Sequence, residues 1–261
     1  MKIQALLSLL ILSVLITSCS SDQTESKEVI RLSADTTTDV IDPTDTTVTN
    51  MLQGNLSFTQ LSTYPNKVIL TGMAEQRLLP IYKKNSKTSP DNNASRSSYY
   101  YEDYSDEFHH FMPGIDLLSG FNLVNVAHYD FKTEKVKLLF NNAVLVKSLY
   151  YPSFEQDSLN KKPINRNYFL ISAYNEDTNK DTLLTKTDLR RLFYFNATAT
   201  EQIQIIPSDY SVVRSQYDSM NDVMYIFARH DSNKNGKSEK DESLHVFWIS
   251  LARPGVAKRM Y

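Results

Sequence analysis

Residues 231–242 read DSNKNGKSEKDE, a spacing of oxygen-bearing side chains that suits a hard divalent cation. Such a cation takes six to eight oxygens. A twelve-residue loop supplies them from side chains at positions 1, 3 and 5, a backbone carbonyl at 7, often a water-mediated contact at 9 and a bidentate carboxylate at 12. Those slots hold Asp231, Asn233, Asn235, Lys237 (through its carbonyl), Glu239 and Glu242. Position 6 must turn with positive φ, which glycine does without steric penalty, and Gly236 stands there in a chain with only 6 glycines. The bare alternative is a solvated, Asx-rich hairpin turn without an ion. A second and weaker version lies upstream. Asp177, Asn179, Asp181 and Asp188 hold positions 1, 3, 5 and 12, but position 6 is Thr182 and the last carboxylate is one methylene shorter.

The downstream pattern resembles the calcium loop of EF-hands, which implies a structural calcium ion. With two neutral amides among the ligands, the expected affinity is on the order of 10⁻⁴ to 10⁻³ M. Two features depart from that family. Position 8, apolar in EF-hands, is Ser238, and the flanks DVMYIFARH and SLHVFWISL alternate as strands instead of amphipathic helices. The expectation is a strand–loop–strand site that pins a hairpin, without the helical opening of a sensor.

Other chemistry is sparse. His109 and His110 are adjacent, so on a strand their side chains point to opposite faces and cannot chelate one ion together. His128 and His245 fall within strand-like runs as pleat residues, and His230 directly precedes the loop, placed to touch its rim. No H-E-x-x-H or G-x-S-x-G motif occurs, and the glycines form no phosphate cradle. The net charge of −2 with scattered Lys and Arg argues against nucleic acid. The cluster Tyr99, Tyr100, Tyr101 and Tyr104 is the candidate ligand surface, because exposed aromatic faces stack on sugars and peptides with little entropy loss. The same tyrosines would equally serve to pack their loop on the core.

The elements that must hold these residues read as strands. Short runs rich in Val, Ile, Tyr and Phe, such as KVKLLF, VLVKSLYY, NYFLISAY, RLFYFN, DVMYIFARH and LHVFWISL, are separated by Asn, Asp, Ser, Thr and Pro. Two units repeat. Sliding the chain by 54 residues lays Asn167 on Asn221, Asp177 on Asp231, Lys180 on Lys234 and Phe193 on Phe247. A second echo lays TEKVKLLFNNAVLVKSLYY on TEQIQIIPSDYSVVRSQYD. The expected fold is all-β, an antiparallel meander of repeated four-stranded units, propeller-like, with a β-sandwich as the alternative. Over about 120 to 261 the pattern, EQIQIIPSDYSVVRSQYDSMNDVMYIFARHD above all, resembles TolB-like and WD40-like blades, although the Gly-His and Trp-Asp hallmarks are missing.

The N-terminus places the domain. MKIQALLSLLILSVLITSCSSD has an early Lys2, an apolar run and small residues before Cys19, the layout of a secretory signal over 1–18. Ile16-Thr17-Ser18-Cys19 resembles the lipobox of bacterial lipoproteins, which implies cleavage, a lipidated Cys19 that takes palmitate, and membrane attachment through that lipid. Ser20 rather than Asp after the cysteine implies the outer membrane. Residues 19–50 are Ser, Thr, Asp and Glu with little to bury, a disordered tether. A single β-repeat domain over 51–261 follows, with a polar insertion at about 84–108. The functional expectation is a lipid-anchored, non-enzymatic, calcium-stabilised binding or scaffold module of the cell envelope, with a glycan or an envelope protein as partner. The alternative is an enzyme or enzyme subunit acting on glycans or peptides.

Overall fold

The computed structural model of the protein describes residues 52–53, 61–84, 112–119 and 123–261. The signal 1–18, Cys19, the tether 19–50, most of the insertion with Tyr99, Tyr100, Tyr101 and Tyr104, and the pair His109–His110 lie outside the described residues.

The protein is all-β with antiparallel sheets, and the described residues contain no helix. In chain order the strands begin with β1 (Leu52–Gln53), β2 (Thr63–Pro65), β3 (Ile69–Leu70), β4 (Gln76–Lys83), β5 (Ile115–Ser119) and β6 (Leu123–Asp130). The middle of the chain forms β7 (Lys135–Leu138), β8 (Leu145–Pro152), β9 (Asp157–Leu159), β10 (Lys162–Ile164), β11 (Tyr168–Tyr174) and β12 (Leu183–Leu184). The last third forms β13 (Arg191–Asn196), β14 (Gln202–Gln204), β15 (Tyr210–Asp218), β16 (Val223–His230), β17 (Leu244–Ser250) and β18 (Lys258–Arg259).

Three large sheets result: β2-β4-β6-β7 with β3 also on β4, β14-β13-β11-β8-β5, and β15-β16-β17-β18. In each, a meander is completed at one edge by the strand that follows it in sequence: β7, β14 or β18. Strands β9 and β10 form a separate two-stranded hairpin. Asn160 and Lys161 both take positive φ (53° and 64°) between the paired residues Leu159 and Lys162, the twist that a two-residue hairpin needs.

The middle sheet is buried on both faces, and its sequence says why. In β11, Tyr168 and Leu170 join one core with Met224, Ile226, Phe247 and Ile249 of the last sheet. Their alternate neighbours Phe169 and Ile171 join a second core with Leu78 and Val126 of the first sheet. A strand that packs both ways must bury residues of both faces, and YFLISAY is buried throughout, with Ser172 as its one small hydroxyl residue. By contrast β16, VMYIFARH, alternates buried and half-exposed residues because only one of its faces meets a core. Each large side chain buried in these layers contributes roughly 1.5–3 kcal/mol. Arg166 adds a polar tie between the same two sheets. Its guanidinium donates to Asp222 at 2.8 and 2.6 Å and to the Leu251 carbonyl at 2.7 Å.

The sequence repeat is visible in the strands. β11 and β13 correspond to β16 and β17, while β7 and β8 correspond to β14 and β15. Consequently the connection β11–β13, which carries residues 177–188, and the connection β16–β17, which carries 231–242, occupy equivalent places in neighbouring sheets.

Candidate cation site

The downstream loop is wound by its own oxygens. Asp231, only 6% exposed, accepts from Asn235 N through Oδ1 and from Gly236 N through Oδ2, both at 3.0 Å. Asn233 Oδ1 also accepts from Asn235 N at 3.0 Å, and Asn235 Oδ1 accepts from Lys237 N at 2.8 Å. The winding requires positive φ at Lys234 (59°) and Gly236 (71°). Each of these sp² oxygens accepts one bond of the two its lone pairs allow. Glu239 Oε2 accepts from Asn233 Nδ2 at 3.0 Å and Asn235 Nδ2 at 2.8 Å, bonds that hold its carboxyl below the usual glutamate range. The structure thus gathers Asn233, Asn235 and Glu239 directly.

Glu242 completes the loop and is its anomaly. It is 9% exposed; Oε2 accepts from Glu239 N at 3.0 Å, and Oε1 is buried with no hydrogen-bond partner. A buried carboxylate oxygen left unpaired costs on the order of 1–3 kcal/mol or more, so an oxygen of this kind in a native fold calls for an ion or water. It belongs to the residue at position 12, where a calcium loop places its bidentate ligand. The residue types present therefore fit the cation that their spacing implies, amide and carbonyl oxygens from Asn233, Asn235 and Lys237 standing beside the carboxylates of Asp231, Glu239 and Glu242. Among the described residues, no three His, Cys, Asp or Glu side chains converge as a metal group.

The upstream loop has the same winding. Asp177 accepts from Asp181 N at 3.2 Å and Thr182 N at 2.9 Å, Asn179 Oδ1 from Asp181 N at 2.9 Å, and Asp181 Oδ1 from Leu183 N at 2.9 Å. Lys180 (φ 60°) and Thr182 (φ 71°) match Lys234 and Gly236. Its last residue behaves differently. Asp188 is 0% exposed and both its oxygens are taken: Oδ1 accepts from Thr178 N at 2.8 Å and Asn179 N at 3.3 Å, and Oδ2 from Thr185 N at 2.7 Å. Burial pushes its carboxyl up while those donors pull it down.

The two loops touch. Asp188 and Lys237 form an antiparallel bridge, Ser238 N donates to the Thr187 carbonyl at 3.2 Å, and Thr178 Oγ1 donates to the Gly236 carbonyl at 2.6 Å. A Cβ on Gly236 would lie 1.9 Å from Thr178 O, so glycine is required there by contact as well as by φ. Behind both loops lies Arg191, buried, donating to the Tyr210 carbonyl at 2.6 Å and within electrostatic reach of Glu176, Asp209, Asp231 and Asp188. Sequence spacing points to the ligand positions but carries no signal for Thr178, Thr187 or Arg191, whose roles arise from two repeats meeting in space.

The described histidines, His128, His230 and His245, are structural in form. His128 is a buried pleat residue bonded to the Ala197 carbonyl at 3.1 Å. His245 Nδ1 meets Tyr210 OH at 2.9 Å, and burial, then Arg259 and His230, push its pKa down. His230 bonds Asp209 at 3.1 Å and stacks on His245, so its ring serves the neighbouring turn. A cavity of about 410 Å³ beside Gly72, Gly114, Ser153 and Phe154 has Glu155 and Arg166 as its ionisable lining, the latter already paired with Asp222. No protein-family model matches the chain, and no curated protein matches it.

Proposed function

We propose that the chain is a lipid-anchored cell-envelope protein whose β domain is a non-enzymatic binding or scaffold module, held in shape by a calcium ion in loop 231–242. The observation that carries the calcium reading is the unpartnered, buried Oε1 of Glu242 at the end of a loop already wound in the calcium-loop manner. Asp231, Asn233, Asn235 and Glu242 would hold the ion together with the Lys237 carbonyl, and Glu239 through water. A bound divalent cation supplies charge neutralisation, and the chain's own strands supply the frame. The sheets are read as propeller-like units, supported by the shared meander and by the edge strand that each sheet takes from the following segment. The signal layout, Cys19 and Ser20 support an outer-membrane anchor. Tyr99, Tyr100, Tyr101 and Tyr104 remain the surface proposed for a glycan or envelope-protein partner.

Titrating calcium into chelator-treated protein tests the central claim. The expected result is a binding isotherm in the 10⁻⁴ to 10⁻³ M range. At a hundredfold excess over Kd the melting temperature should rise by roughly 5–10 °C. A titration without heat and without thermal shift removes the ion from the account. For the anchor, palmitate labelling is expected in the wild type and absent in Cys19→Ala; labelling that persists in the variant overturns it.

A further inference from the structure

We infer that the two loops build one cation site, with Thr178 of the upstream loop as a positioning residue for the downstream ligands and Asp188 closing the upstream loop without an ion. This rests on the calcium reading of loop 231–242.

The first half follows from peptide geometry. Ser238 N–H points at the Thr187 carbonyl in the upstream loop. In a trans peptide the carbonyl of the same plane points the opposite way. That carbonyl belongs to Lys237, so the bridge to the upstream loop turns the position-7 oxygen away from that loop, toward the side of the downstream loop's own side-chain oxygens. The preceding peptide is pinned as well: its N–H, on Lys237, donates to Asn235 Oδ1, and its carbonyl, on Gly236, accepts from Thr178 Oγ1. Thr178 is itself fixed, because Leu189 N donates to its hydroxyl at 2.9 Å and its own N–H donates to Asp188. Two consecutive peptide planes of the cation loop are thus held by the neighbouring repeat. Pre-ordering of this kind raises affinity by removing the conformational cost of binding.

The second half follows from what Asp188 accepts. Glu242 and Asp188 share one bond, from the N–H at position 9 (Glu239 or Thr185). Their other oxygens differ: Glu242 Oε1 has no partner, whereas Asp188 Oδ1 takes the N–H groups of positions 2 and 3, Thr178 and Asn179. Backbone dipoles supply to Asp188 the positive potential that a cation would supply to Glu242.

Calorimetric titration of calcium into chelated protein, run beside melting curves in chelator and in calcium, tests both halves. The wild type should bind one ion per chain. Thr178→Val should bind at least tenfold more weakly and Thr178→Ser near wild type, so that the melting-temperature gap between calcium and chelator shrinks only in the valine variant. Asp181→Asn, at an exposed upstream position, should leave stoichiometry and affinity unchanged, and it keeps the test open should the valine variant fail to fold. Two ions per chain, an unchanged affinity in Thr178→Val, or a lost ion in Asp181→Asn overturns the inference and leaves the calcium reading standing. A wild type that binds no calcium overturns that reading itself.

Discussion

Loops 177–188 and 231–242 are wound alike residue by residue, with the same Asx bonds and the same positive φ at positions 4 and 6, yet they end differently. The upstream loop ends on a short carboxylate, Asp188, whose charge is answered by backbone N–H groups. The downstream loop ends on a longer one, Glu242, half of which is answered by nothing in the chain. One methylene thus separates a loop complete in itself from a loop left with one buried carboxylate oxygen unpartnered. The position-6 residues repeat the lesson. Gly236 sits where a Cβ would strike Thr178 O, while Thr182 is exposed and meets only the cost of its own φ.

The largest expected effect comes from breaking the self-sufficient loop. Asp188→Asn keeps one acceptor oxygen but sets an NH₂ group against a backbone donor, leaving buried groups unsatisfied. The cost should be about 3 kcal/mol, the same with and without calcium. Denaturant unfolding in both conditions checks this, and a loss confined to calcium buffer would mean that Asp188 is a ligand after all. Glu242→Gln should do the reverse. In chelator its stability should stay within about 0.5 kcal/mol of wild type, since an unpaired buried charge has been removed. The increment from calcium, about 2.7 kcal/mol at a hundredfold excess over Kd, should vanish.

Gly236→Ala joins both costs. The positive φ opposes any side chain, and the added methyl would sit 1.9 Å from a backbone oxygen of the other loop. A loss of about 2 kcal/mol in chelator is expected, together with weakened calcium binding because the contact between the loops must open. Normal stability in this variant would show that the two loops are not held together.

Much of this architecture is legible in the chain. The almost wholly apolar YFLISAY and the alternating VMYIFARH distinguish a strand covered on both faces from one covered on a single face, and the repeat places the two loops in equivalent hairpins. The ligand spacing of 231–242 is likewise a local property. What escapes a reading of the chain is non-local or brief. β5, IDLLS, pairs with β8 more than thirty residues away, and the hairpin β9–β10 turns at Asn160-Lys161, without the glycine that announces such turns. Thr178 and Thr187 are unremarkable threonines until two repeats meet. Nor does spacing alone say that Asp188 reaches back to amides while Glu242 does not, because that depends on where a side chain ends.

Thr182→Gly is the smallest and most discriminating change. A β-branched residue at φ 71° is strained by roughly 1–2 kcal/mol, and glycine relieves it while returning part of the gain as entropy of the unfolded chain. The expected net stabilisation is about 0.5 kcal/mol, visible as a small rise in melting temperature in chelator. It also restores to the upstream loop the one glycine that separates its spacing from that of the downstream loop. If position 6 were what keeps an ion out, this variant would take up a second calcium. Because Asp188 is already saturated by Thr178, Asn179 and Thr185, the stoichiometry should stay at one ion per chain, and a titration that reaches two would move the distinction between the loops from their last residue to their sixth.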